Sequence, residues 1–173
     1  MGAGPTGCMV ALALAQQNQR VVLFDPQAFD ALTSRSRAYA ITHSSRRLMQ
    51  RLGVWDELRK DLVAFEQLDL RDLAAGHQVL FVSDDLAEKN RGHHGIGWIL
   101  DHRPLMTALL QRLQESALVR LHLGGEAAPI PSPDSLVIAA DGPSSPTRES
   151  WGIRCWQHRY RPVSYTHLRA HET

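Results

Sequence analysis

The chain has 173 residues, 43% hydrophobic and 21% charged, with a formal net charge of +1, which is room for one domain with a core or for a piece of a larger protein. A composition this near the globular average excludes a disordered chain, and so small a net charge gives no field that would recruit nucleic acid. The longest apolar run, "CMVALALA", falls far short of the roughly 20 residues that cross a bilayer, and the two cysteines, Cys8 and Cys155, form neither a disulfide framework nor a zinc motif, which fits a cytoplasmic setting.

In chain order, the glycine-rich turn "MGAGPTG" comes first, with almost nothing ahead of it. "PTGCMVALALAQQ" (Pro5 to Gln17) is rich in Ala and Leu and predicts a helix whose first turn offers free amides. "RVVLFD" (Arg20 to Asp25) is a short β-branched run closed by Asp-Pro and predicts a buried strand. Turn, helix and strand in this order make a βαβ unit without its first strand, so an apolar strand is expected ahead of the turn and the chain reads as truncated there. A polar loop bearing Arg35 and Arg37 leads to "SSRRLMQRLGVWDEL", where Leu48, Met49, Leu52 and Trp55 recur at helical spacing, with Ser44 or Ser45 as cap and Gly53 as stop.

"FEQLDLRDL" and "HQVLFVS" alternate on either side of "AAGH" and predict a hairpin. The helical period returns in "HRPLMTALLQRLQES" through Leu105, Leu109, Leu110 and Leu113, and "VRLHLG" alternates as a strand. After a Pro-rich loop, "LVIAADG" predicts a further strand ending in Asp-Gly. The last stretch, "VSYTHLRAHET", has no apolar period and is similar to translated sequencing-adapter DNA; residues 163–173 are expected to be non-native or disordered, a short native tail being the milder reading.

Gly2, Gly4 and Gly7 form G-x-G-x-x-G, in which the glycines serve a tight turn, the approach of a phosphate to the backbone, and close helix–strand packing. The pattern gains weight from the helix behind it and from Asp25, about 20 residues downstream, where a carboxylate can accept ribose hydroxyls. An acid at that place repels a 2′-phosphate, so FAD or NAD is favoured over NADP. Arg35 and Arg37 can fork phosphate oxygens. The run "LVIAADGPSSPTRESWGI" places Asp141, Gly142 and Arg148 at the end of one strand.

The blocks "GAGPTG", "RVVLFD", "SRAYAITHSSRRLMQRLGVWDEL", "ILDHRPLMTALLQRL" and "LVIAADGPSSPTRESWGI" resemble, in this order, the FAD-dependent aromatic monooxygenases of the ubiquinone-biosynthesis hydroxylase type (2-polyprenyl-6-methoxyphenol hydroxylase-like), and more distantly p-hydroxybenzoate hydroxylase. The resemblance runs from Gly2 to about Pro162. It implies an α/β fold: an incomplete Rossmann-like FAD-binding domain over 1–162, with part of a β-rich substrate domain inserted around 63–100. It further implies that Gly2, Gly4 and Gly7 meet the FAD pyrophosphate, Asp25 the adenosine ribose, and Arg37 the pyrophosphate or ribityl side. Arg103, with His102 beside it, would reach the ribityl region, and Asp141 with Gly142 would contact FAD and NAD(P)H. The flavin then carries the chemistry, with NAD(P)H as co-substrate and O₂ as oxidant, on a small aromatic substrate that the resemblance allows to be prenylated; no separate catalytic side chain is expected. The family's later Gly-Asp segment and most of its substrate-covering sheet have no counterpart here.

Two other readings stand beside this one: a different flavin-dependent oxidoreductase on the same fold, and a non-catalytic fragment. His93 and His94 are expected to be loop residues rather than metal ligands. Cys8 is expected to be a small buried helix residue, although a helix N-terminus would lower a thiol pKa. Trp55 and Trp98 are expected in the core or at an interface, and "SSRRLMQR" as a solvated face for which the family's lipid-like substrates allow a peripheral membrane contact.

Overall fold

The structure, a computed structural model, describes residues 1–72, 75–90 and 95–156. His93, His94 and the tail 163–173 lie outside the described residues. In chain order the elements are α1 (Pro5–Gln16), β1 (Val21–Asp25), α2 (Phe29–Thr33), β2 (Ala38–Ile41), α3 (His43–Arg51), α4 (Trp55–Leu58), β3 (Leu62–Phe65), β4 (Gln67–Asp72), β5 (His77–Val82), β6 (Gly97–Asp101), α5 (His102–Gln114), β7 (Val119–Leu123) and α6 (Pro146–Ser150).

The core is organised by α5. Leu105, Leu109 and Leu113 recur every four residues and so share one face, and with Met106 and Leu110 they are completely or almost completely buried. That face packs on α1, where Cys8, Ala11 and Leu12 are buried, and on α2 through Leu32. β1 lies beside β7 in parallel, with Val21 opposite Val119 and Asp25 opposite Leu123. This α1–β1–β7 layer with α5 is the Rossmann-like part, and it carries the opening turn at the C-terminal end of β1.

A second layer is antiparallel, with β6 central between β2 and β3. β4 and β5 form the expected hairpin, in which Leu68 faces Phe81 and Leu70 faces Val79 across the strands. All four side chains are exposed. Among the described residues, no helix is long and apolar enough to cross a membrane.

Three expectations are corrected by the structure. The cap of α3 is Thr42, whose hydroxyl accepts from the Ser45 amide at 3.3 Å, because the chain is still extended at Thr42 and turns helical at His43. Ser44 and Ser45 fall inside the first turn. Gly53 does stop this helix: it has φ +74°, its N–H donates to Gln50, and Val54 N–H donates to Met49, which is the Schellman pattern, with Val54 and Met49 both buried. Trp55 therefore starts a separate short helix.

The second correction is "LVIAADG", which forms no strand. A strand exists only where its edge is paired, and this segment finds one residue to pair with: Ile138 carbonyl accepts from Met1 N at 2.9 Å and Ala140 N–H donates to Met1 carbonyl at 2.7 Å. The third concerns "SSRRLMQR". The Arg46 guanidinium lies 5.5 Å from the centre of the Trp98 ring, and Arg47 Nη1 donates to Asn90 Oδ1 at 2.8 Å. Trp98 is also met edge-on by Trp55 and His43, at 5.2 and 4.9 Å. Arg46 lies over an aromatic cluster and Arg47 is held by Asn90, so this face is not freely solvated.

Candidate functional site

The opening turn is held from three sides. Gly2 N–H donates to the Phe24 carbonyl at 2.8 Å, tying the turn to β1. Ala3 N–H donates to Asp25 Oδ2 at 2.8 Å, and the other carboxylate oxygen accepts from Gln27 N–H at 2.9 Å. The Cys8 thiol donates to the Ala3 carbonyl at 3.2 Å. Ala3 and Cys8 are buried, so the bonds to the Ala3 N–H and carbonyl close groups that water cannot reach.

The three glycines are not equivalent. Gly2 has φ +92°, a region L side chains avoid, and a Cβ there would come within 2.7 Å of Asp141 Cα. A Cβ on Gly7 would overlap the Gly2 carbonyl. Internal packing accounts for both. Gly4 is different: its φ is −69°, open to any residue, and a Cβ would meet nothing within 4 Å.

Gly4 stands at the N-cap of α1, directly before Pro5, which has no N–H to give. Cys8 N–H is the first of this helix to find a carbonyl, that of Gly4 at 3.0 Å. The amides of Gly4, Thr6 and Gly7 have no acceptor among the described residues. Free amides at the positive end of a helix, approached across a position without a side chain, suit an anion such as a pyrophosphate. A 12-residue helix supplies that dipole in full.

Asp25 does more than the sequence pattern implies. A carboxylate offers about four lone-pair sites, and the two amides take one on each oxygen, leaving room for ribose hydroxyls. Asp141 comes to the same place from the other end of the chain, its backbone lying against Gly2. Its carboxylate accepts from the Ser145 hydroxyl and, at 3.0 Å, from Thr147 N–H, where it helps Ser145 cap α6. Burial works against its ionisation, but the bonds from Ser145 and from Thr147 outweigh it and hold the carboxyl at about 2. Gly142 follows with φ +92° and open space on its Cβ side, and Arg148 Nη2 donates to the Pro143 carbonyl at 2.9 Å.

Arg37 and Arg103 form a second locus. The Arg37 carbonyl accepts from His102 N–H at 2.8 Å, where β2, β6 and the start of α5 meet, and both arginines are exposed. His102 itself does not reach outward. It is 2% exposed, its Nε2 donates to the Leu32 carbonyl at 2.7 Å, and in the neutral ring its Nδ1 accepts from the Tyr39 hydroxyl at 2.7 Å. This relay pins α2, β2 and α5 together and sets where Arg103 leaves the fold. Sequence reasoning missed it, since Tyr39 and His102 carry no local signal of each other. Arg35 turns away to the Gln27 side chain.

Cys8 is the small buried helix residue expected from the sequence. Burial, with the Asp25 carboxylate adding to it, pushes its thiol up to about 12. In the folded chain at pH 8, iodoacetamide is expected to modify the exposed Cys155 and leave Cys8 untouched until urea is added. Equal rates at both sites, read by peptide mass spectrometry, would contradict this packing.

Residues 1–74 match the family described as FAD binding domain. Ubiquinone hydroxylase UbiL of Rhodospirillum rubrum is 30% identical over 88% of this chain and 38% of its own length. Through these matches the chain is similar to FAD-binding proteins and to part of a ubiquinone hydroxylase. Ubiquinone hydroxylase UbiM of Neisseria meningitidis is 24% identical over 92% of this chain and 39% of its own. The structure of PqsL from Pseudomonas aeruginosa, described as a probable FAD-dependent monooxygenase, superposes with a TM-score of 0.67 at 18% identity, covering 92% of this chain and 46% of that one. That likeness shows the fold, an α/β Rossmann-like FAD-binding domain. The chain spans less than half the length of the curated relatives it matches.

Proposed function

We propose that this chain holds FAD for a monooxygenase that hydroxylates an aromatic ring, with a quinone precursor, prenylated or not, as substrate. The observation that carries the reading is Gly4, a glycine that neither backbone conformation nor packing requires, set among free amides at the start of α1. In this reading the turn Gly2–Gly7 holds the pyrophosphate, Asp25 takes the adenosine ribose, Arg37 and Arg103 neutralise the phosphate and ribityl side, and Asp141 with Gly142 borders the cofactor from the opposite chain segment. Bound FAD would take two electrons from NAD(P)H and direct one atom of O₂ into a ring C–H bond, the other leaving as water. The chain's own part is to present donors where the cofactor is negative, to orient the Asp25 carboxylate by two amides, and to fix the arginine locus through His102. The names of UbiL and UbiM and a PqsL complex with 2-aminobenzoylacetate support an aromatic substrate class.

The test is FAD titration by fluorescence, followed by NAD(P)H oxidation with product analysis. Arg37→Ala and Arg103→Ala are each expected to weaken FAD roughly tenfold or more, the scale of one charge-assisted hydrogen bond. Arg120→Ala, on the exposed side of β7, is expected to change little. Equal losses at all three would mean that general positive charge, not a site, attracts the cofactor. A flavin reductase or oxidase on the same fold would bind FAD alike but yield no hydroxylated ring.

A further inference from the structure

One residue, His102, holds both ends of the loop 34–37 that carries Arg35 and Arg37. At the near end, α2 stops at Thr33, so no helical amide reaches the Leu32 carbonyl. It accepts from His102 Nε2 at 2.7 Å instead. A carbonyl can only accept, so the neutral ring carries its proton on Nε2 and its lone pair on Nδ1. The donor that meets this lone pair is the Tyr39 hydroxyl of β2, at 2.7 Å, with the two rings 5.8 Å apart. At the far end of the loop, the ladder between β2 and β6 runs one residue past the pair Ala38 and Asp101, since His102 N–H donates to the Arg37 carbonyl at 2.8 Å. His102 is buried, whereas its neighbour Arg103 is exposed.

We propose that Tyr39 is a positioning residue for cofactor binding: its hydroxyl locks the His102 ring, and the ring fixes the backbone from which Arg103 meets FAD. The inference rests on the reading of Arg103 as an FAD contact. A side chain contributes full affinity only where its anchor is already in place, because ordering the anchor on binding costs conformational entropy. Arg103 lies in the first turn of α5, and three hydrogen bonds hold that turn one residue earlier: His102 N–H to Arg37, its Nε2 to Leu32, and Tyr39 to its Nδ1. Of the three, only the Tyr39 bond has a side-chain donor that a substitution can delete while ring and backbone stay. Its loss leaves Nδ1 buried without a donor, and a ring that turns to satisfy it gives up Leu32. The hydroxyl proton of Tyr39 is spent inside the fold, so Tyr39 acts through His102 and not on the cofactor. No hydrogen bond of this relay reaches the turn Gly2–Gly7 or Asp25, whose bonds run to each other and to β1. The effect is therefore confined to the flavin half of FAD.

The test is a double-mutant cycle on the 173-residue chain, with FAD and ADP affinities read by titration. Tyr39→Phe keeps the ring that packs on the core, so its urea midpoint is expected to fall by less than about 1 M. It is expected to weaken FAD about fivefold, the scale of one neutral hydrogen bond, and ADP by less than about twofold. In an Arg103→Ala chain the same change should cost less than about twofold more, whereas in an Arg120→Ala chain it should keep its full effect. Nitrogen NMR shifts of His102 give a readout without any cofactor: in the native chain the neutral ring is expected to carry its proton on Nε2. Losses that add with Arg103→Ala, an equal loss of ADP, or a neutral ring with its proton on Nδ1 would each overturn the proposal. A native chain that binds neither nucleotide, or an Arg103→Ala chain with unchanged FAD affinity, overturns the reading of the arginine locus and this inference with it. An Arg103 effect without a Tyr39 effect overturns the positioning role alone.

Discussion

Gly7→Ala is expected to lower the urea midpoint by about 1 M or more, and with it to abolish FAD binding. The new Cβ would overlap the Gly2 carbonyl oxygen and sit 3.0 Å from its carbon. Neither partner can retreat by a rotamer change, because both are backbone. Gly2 is bonded to Phe24 and wedged against Ala140 and Asp141, while Gly7 belongs to the first turn of α1, which is packed on α5. Overpacking of a core costs about 1–3 kcal/mol even when side chains can adjust, and a domain's whole margin is about 5–15 kcal/mol. Gly4→Ala is the informative partner. Its backbone angles and open surroundings predict a stability change within about 1 kcal/mol, set by the poorer N-cap, but a loss of FAD affinity of tenfold or more, because the methyl group occupies the approach to the free amides. A Gly4→Ala chain that binds FAD normally would show that no phosphate sits there.

Asp25→Ala is expected to act on stability and affinity together. Removing the carboxylate leaves Ala3 N–H, in a fully buried residue, without an acceptor, at a cost of about 1–3 kcal/mol; Gln27 N–H is exposed and can turn to water. The chain should still fold, with a lowered midpoint. Losing one charge-assisted bond to a ribose should weaken FAD by a further ten- to a hundredfold. Asp25→Asn separates the two effects. It keeps one oxygen for Ala3 N–H, so most of the stability returns, while the charge that strengthens a ribose contact does not. Thermal and urea unfolding of the three chains, beside fluorescence titration, is the measurement; an Asp25→Ala chain with both properties unchanged would remove Asp25 from the site.

Much of this protein is local and therefore legible in one dimension. Leu105, Leu109 and Leu113 announce a buried helix face, the β-branched run before Asp25 announces β1, and Gly53 ends α3 as its backbone freedom requires, because side-chain period and turn chemistry act over a few residues. The G-x-G-x-x-G pattern and Asp25 likewise mark the place of the candidate site. What the pattern could not do is rank its glycines: Gly2, Gly4 and Gly7 look alike in sequence, and only the packing of the turn, with residues 140–141 against Gly2 and the Gly2 carbonyl against Gly7, separates two that packing demands from one that a ligand would explain. The same holds for Asp141, whose carboxylate is partly consumed by Ser145 and Thr147, and for Arg46 and Arg47, which lie on an aromatic cluster and an asparagine distant in sequence. "LVIAADG" has the composition of a strand yet forms none, since a strand is a property of two edges and not of one segment. Periodicity determines which side chains a segment can bury; which partner lies opposite them is settled by contacts that close over large sequence separations, such as Tyr39 with His102, and these leave no mark on either neighbourhood.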